Sequence, residues 1–170
     1  PAATSAVVTG SGDQRGYFME RYKRSALLAG GVDVSFVQSN LSFSHRGILR
    51  GIHYQAAPAG QGKLLQVISG AIYDVAIDLR PASPTFGKWA AGELTADNGR
   101  ALYISKGFAH GFQALADNTE VFYQMSEFYH PESARGIRWN DPAFKIDWPL
   151  PGPILSARAP HSVDFLFPTA

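Results

Sequence analysis

Short apolar runs broken by glycine and proline set the rhythm of this chain. The alternation is clearest in Ala71-Ile72-Tyr73-Asp74-Val75-Ala76-Ile77-Asp78-Leu79, which in an extended strand puts Tyr73, Val75, Ile77 and Leu79 on one side and Asp74 and Asp78 on the other. Similar runs predict strands at roughly 36–43, 47–55, 64–69, 71–79, 87–94, 100–105, 107–114 and 119–128. One segment has helical spacing: Met19, Tyr22, Ala26 and Leu27 stand at i, i+3, i+7 and i+8, and Gly30-Gly31 stops the run. Many short strands with turn residues between them predict an all-β jelly-roll sandwich or barrel with one or two short helices. The proline- and aromatic-rich tail from Pro149 to Ala170 is expected to wrap over the body, because Phe165 and Phe167 are costly to leave in water.

Composition narrows the classes. A chain of 170 residues that is 45% hydrophobic can fill one core, so a single domain over 1–170 is expected. With 15 basic and 14 acidic residues the net charge is +1, which lacks the electrostatic footprint of a nucleic-acid binder. An anionic ligand would have to be held by a few placed cations. The absence of cysteine excludes disulfides, thiolate metal sites and a cysteine nucleophile. No apolar run approaches the ~20 residues of a membrane span, and the beginning of the sequence lacks the basic and apolar regions of a signal peptide. A cytoplasmic protein without membrane contact is the expectation.

His53, in Leu49-Arg50-Gly51-Ile52-His53-Tyr54-Gln55, is the informative histidine. Period-two alternation pairs it with Gln55 on one face. A metal site would want a second histidine there, and Gln55 is a poor ligand, so no metal is expected. Lys63 opens a strand soon afterwards, Asp74 lies on the polar side of the next, His110 sits in Gly107-Phe108-Ala109-His110-Gly111-Phe112, and Tyr123 follows Phe122. Taken singly these are a surface lysine, a structural acid, a turn histidine and a core aromatic. Together they offer a base, a cation, a second imidazole and a phenol, the groups that proton transfer beside a ketone requires.

The stretches Asp13-Gln14-Arg15-Gly16-Tyr17-Phe18, Phe36-Val37-Gln38-Ser39-Asn40, Leu49 to Gln55, Ser83-Pro84-Thr85-Phe86-Gly87, Gly107 to Phe112 and Gly136-Ile137-Arg138-Trp139-Asn140-Asp141-Pro142 occur in that order. In this the chain resembles the dTDP-4-dehydrorhamnose 3,5-epimerase family from about Asp13 to Ser156. The resemblance implies a cupin-type jelly roll, a homodimer and no cofactor. It implies as substrate a nucleoside-diphosphate 4-keto-6-deoxysugar, epimerised at C3 and, where both centres invert, at C5. By the same resemblance His53 is the base, Tyr123 the acid and Lys63 the cation near the C4 oxygen. Arg15 and Arg50 would hold the diphosphate, Phe18, Glu20, Gln38 and Asn40 the nucleotide and sugar, and Tyr129 would pack on the base, with His110 and Asp74 in support.

Three positions depart from the family pattern. Ser11 replaces a phenylalanine, Leu41 a histidine, and Ala159 the aspartate that orients the catalytic histidine. Either Asp164 substitutes for that aspartate, or His53 works unaided and loses its base form near the ordinary histidine value of about 6.5. The alternatives left open are a 3-epimerase or ketoisomerase using another nucleotide, a sugar-nucleotide binder impaired through Ala159, and a metal-dependent cupin dioxygenase.

Overall fold

The computed structural model describes residues 3–7, 10–156 and 162–165. Strand β1 (Ala3–Val7) is followed by a hairpin, β2 (Gly10–Asp13) and β3 (Gly16–Met19), and by helix α1 (Arg24–Ala29). The body then runs β4 (Gln38–Ser44), β5 (Leu49–Gln55), β6 (Lys63–Ser69), β7 (Ala71–Asp78), β8 (Trp89–Thr95), β9 (Arg100–Ile104), β10 (Phe108–Ala114) and β11 (Thr119–Met125). A 3-10 turn at Pro131–Ser133 leads into β12 (Ala134–Ile137), and β13 (Ser162–Val163) closes the described chain. One sheet has the order β1-β9-β6-β11-β4, the other β13-β12-β5-β10-β7-β8, and β2-β3 stands by itself. This is the expected all-β sandwich with short helical pieces.

The eight strands expected from alternation are all present, with ends displaced by three residues at most. The helix begins later than its spacing predicted, because Met19 ends β3 instead. Leu27 of α1 packs with Val34 and Phe36 on Leu64, Ala101 and Tyr103, covering the outer side of the first sheet.

Between the sheets lie Leu65, Val67, Ile72, Ala76, Leu94, Ile104, Phe108, Phe112 and Val121. The side of β7 expected to be carboxylate therefore also carries Ile72 and Ala76 into the core. On its other side Val75 and Ile77 have no exposed surface, and they pack with Ile52, Ala109, Ile137 and Phe144. Burying each of the larger of these side chains contributes about 1.5–3 kcal/mol. Phe165 lies against this outer layer beside Trp148, so the part of the tail that is described there packs on the body; Phe167 is outside the described residues. Asp78 is buried but paired: Arg80 grips both its oxygens at 2.9 and 2.7 Å, and Ser83 and Thr85 each donate at 2.6 Å. These donors, Arg80 first, hold its carboxyl far below the usual range and staple the Ser83–Gly87 turn.

Candidate active site

The pocket is built on an irregularity in β5. His110 of β10 pairs with His53, but Phe112 pairs with Arg50, so two residues of β10 span three of β5. One extra residue in a strand shifts the side-chain alternation, and here it brings Arg50 and His53, three apart, to the same cavity. Gly51 makes this possible. Its φ is +128°, and a Cβ there would lie 2.4 Å from the Gly111 Cα.

The cavity holds about 580 Å³ and is lined by Arg50, His53, Lys63, His110 and Tyr123 among apolar walls that include Leu49, Leu65 and Phe112. His53 and His110 come from the six-stranded sheet, Lys63 and Tyr123 from the five-stranded one. The imidazoles thus face the ammonium and the phenol across the space. Asp74, with no exposed surface, binds His110 Nε2 through Oδ2 at 2.8 Å. Gln55 shares the strand with His53 but is spent elsewhere. Its amide donates to the carbonyls of Ala59 and Phe128 at 2.7 and 3.1 Å and accepts from the His130 N–H at 2.7 Å. It fastens the turn that carries Tyr129. Among the described residues no three of His, Cys, Asp or Glu stand close enough to hold a metal ion.

Arg50 is pre-aimed: its Nε donates to Ser44 Oγ at 3.0 Å and its NH2 to the Phe43 carbonyl at 2.8 Å. The electrostatics sort the remaining groups. Desolvation, with Lys63 and His110 nearby, pushes His53 down to about 4. Burial pushes Lys63 down to about 8, against the opposing pull of Asp74. At neutral pH the pocket therefore presents a neutral imidazole, ready to accept a proton, opposite an ammonium able to bind an oxyanion.

Not every expected residue arrives here. Arg15 is 90% exposed on the β2-β3 hairpin, bonded to Asp13, in a separate depression with Tyr17 and Phe18. Glu20 faces Lys23 at 3.7 Å, and Tyr129 is exposed. Asn40 pairs across the sheet with Tyr123, and so shares its face; Gln38 donates to Asn40 at 3.2 Å and accepts from the Tyr129 N–H at 3.2 Å. Of the departures, Leu41 is exposed and Ala159 lies outside the described residues. Asp164 is not the substitute partner: its Oδ1 accepts from Arg138 Nε at 3.0 Å, and no carboxylate among the described residues bonds His53. Sequence reasoning missed the wall of Ile154, Leu155 and Ser156. The parallel bridge between Ile48 and Ile154, with the Gln113 amide holding the Leu150 backbone, brings it there through pairings with no local signal.

The family model described as dTDP-4-dehydrorhamnose 3,5-epimerase matches residues 3–165. The chain belongs to the dTDP-4-dehydrorhamnose 3,5-epimerase family. It is an epimerase of sugar nucleotides. It is 51% identical over 149 residues to the dTDP-4-dehydrorhamnose 3,5-epimerase of Pseudomonas aeruginosa, covering 86% of this chain and 82% of that one. It is 41% identical over 147 residues to a dTDP-4-dehydrorhamnose 3-epimerase of Streptomyces niveus, covering 86% of this chain and 71% of that relative. The crystal structure of the Bacillus anthracis 3,5-epimerase with TDP and PPi bound superposes with a TM-score of 0.93 at 44% identity, over 96% of this chain and 94% of that one.

Proposed function

We propose that this epimerase inverts C3, and also C5, of a dTDP-4-keto-6-deoxyhexose through the pocket between the sheets. The observation that carries the reading is the placement of a neutral His53 on one wall against Lys63 and Tyr123 on the other. His53 takes the proton from the carbon beside the ketone, and the C–H electrons pass into an enolate whose oxygen meets the Lys63 ammonium. The Tyr123 hydroxyl then delivers a proton to the opposite face, and solvent resets the imidazolium and the phenolate. Arg50, held by Ser44 and the Phe43 carbonyl, binds the diphosphate with its remaining N–H groups. The enzyme acts in the cytoplasm.

A homodimer accounts for the residues the pocket leaves out. Leu41 and Phe43 on β4 and Tyr17 and Phe18 on the hairpin are 61, 47, 69 and 77% exposed, an apolar surface a second copy would cover. In that assembly the hairpin brings Arg15 and Phe18 to the partner's nucleotide.

Incubating dTDP-4-keto-6-deoxyglucose with the enzyme in deuterated water tests the reading. Deuterium should enter C3 and C5, His53→Asn should abolish the exchange, and Tyr123→Phe should keep exchange while losing inversion. Label at C3 alone would remove the C5 step, and wild-type exchange in His53→Asn would remove the base.

A further inference from the structure

Asp74 holds an unusual position. It has no exposed surface, Oδ2 is on His110, and Oδ1 is buried without a hydrogen-bond partner among the described residues. A buried carboxylate oxygen left unpaired costs stability, and native structures retain one where it has work to do or a ligand to meet. Its strand places it toward the pocket, since Asp74 pairs directly with Phe112, which lines the cavity. The described lining contains no carboxylate of its own, whereas it contains Arg50, His53, Lys63 and His110.

We propose that Asp74 is a positioning residue that serves as the buried counter-ion of Lys63, acting across space through its free oxygen while its other oxygen holds His110. This rests on the reading of the pocket as a site for a 4-keto sugar. The physical point is the separation. A lysine hydrogen-bonded to a carboxylate would spend a donor on it, and a lysine with no counter-ion in a desolvated, cation-rich pocket would shed its proton. A carboxylate near but not bonded keeps the ammonium charged while its N–H groups stay free for the ketone oxygen. The groups facing Lys63 are His53 and Arg50 from β5, His110 from β10, Tyr123 from β11 and Asp74 from β7; the first four either repel a proton on Lys63 or leave it alone. Asp74 is the one that raises the lysine against burial. Its grip on His110 also fixes the imidazole beside His53, because His110 and His53 are directly paired.

Asp74→Asn keeps the shape and the acceptor for His110 but removes the charge. The alkaline limb of kcat/KM, expected at about 8 where Lys63 loses its proton, should move down by about one unit. The turnover number near pH 7.5 should fall by roughly threefold, the loss of charged Lys63 that a one-unit shift produces there, with KM for the nucleotide sugar little changed. A folded Asp74→Asn enzyme with its alkaline limb unmoved would overturn the proposal. Should that variant fail to fold, the wild-type protein decides: the carboxyl carbon of Asp74 and the Cε of Lys63, followed by 13C NMR, should share one inflection near pH 8. A flat Asp74 signal through that range sinks the assignment. The titration needs no substrate, so its failure falls on Asp74, whereas wild-type enzyme that exchanges no substrate proton counts against the proposed function.

Discussion

Desolvation, with Lys63 and His110 beside it, pushes His53 down to about 4, whereas the sequence alone put the loss of its base form near the ordinary value of about 6.5. The sequence could not show that partial desolvation or those two neighbours. The free enzyme should therefore keep kcat/KM as the pH falls well below 6, with the acid limb near 4. Binding adds the negative diphosphate beside the same imidazole, which favours its charged form. The acid limb of kcat, which reports the bound complex, should lie at higher pH than that of kcat/KM; coincident limbs in steady-state profiles would contradict this. The same residue affects folding. Its folded value lies below the unfolded one, so the unfolded chain binds more protons between about 4 and 6.5, and stability due to His53 falls as the pH drops through that window.

Strand β5 carries the site because its extra residue turns Arg50 toward His53. Replacing Gly51 with alanine places a Cβ 2.8 Å from the His110 carbonyl and 2.4 Å from the Gly111 Cα, at a φ of +128°. Neither neighbour is a flexible side-chain tip, so Gly51→Ala should lose about 1–3 kcal/mol in urea unfolding and most of its activity. A variant of wild-type stability would show that β5 can pair in regular register. At the other end of the chain, Asp164 joins Arg138 and the Phe165 N–H joins Asp141 at 2.6 Å, so both act as fasteners of the tail. Asp164→Asn should accordingly leave deuterium exchange within about twofold of wild type, losing at most the small stability of an exposed ion pair. Ala159→Asp, which restores the family's carboxylate, should raise the exchange rate; a crippled Asp164→Asn would instead mark Asp164 as the partner of His53.

For the molecule as a whole the open question is assembly. The outer side of β4 carries exposed Leu41 and Phe43, and among the described residues β4 is an edge strand, paired with β11 on one side and with no strand on the other. Light scattering after gel filtration should give a dimer mass, and the double change Leu41→Glu, Phe43→Glu should give a monomer that binds dTDP more weakly than wild type, since Arg15 and Phe18 would then have no partner pocket. A wild-type monomer with full nucleotide affinity would remove the dimer and leave the hairpin without a role. Among the described residues no helix is long and apolar enough to cross a membrane.

Local chemistry determined much of this in advance. Period-two alternation and turn residues mark β4 to β11 because a half-buried strand needs that pattern whatever it pairs with. The hairpin β2-β3 and strands β12 and β13 escaped notice because Gly-Ser-Gly-Asp or a two-residue pairing has no apolar rhythm to read. The motifs around His53, Lys63, His110 and Tyr123 named the chemical groups of the pocket, since function selects side-chain types that a sequence displays directly. Which of them meet was decided only by tertiary structure. The register shift that unites Arg50 with His53, the wall of residues 154–156 and the distance of Arg15 from the pocket all depend on pairings between segments far apart in the chain. The state of the groups was decided there too, because the proton on His53 or Lys63 responds to excluded water and to charges on other strands.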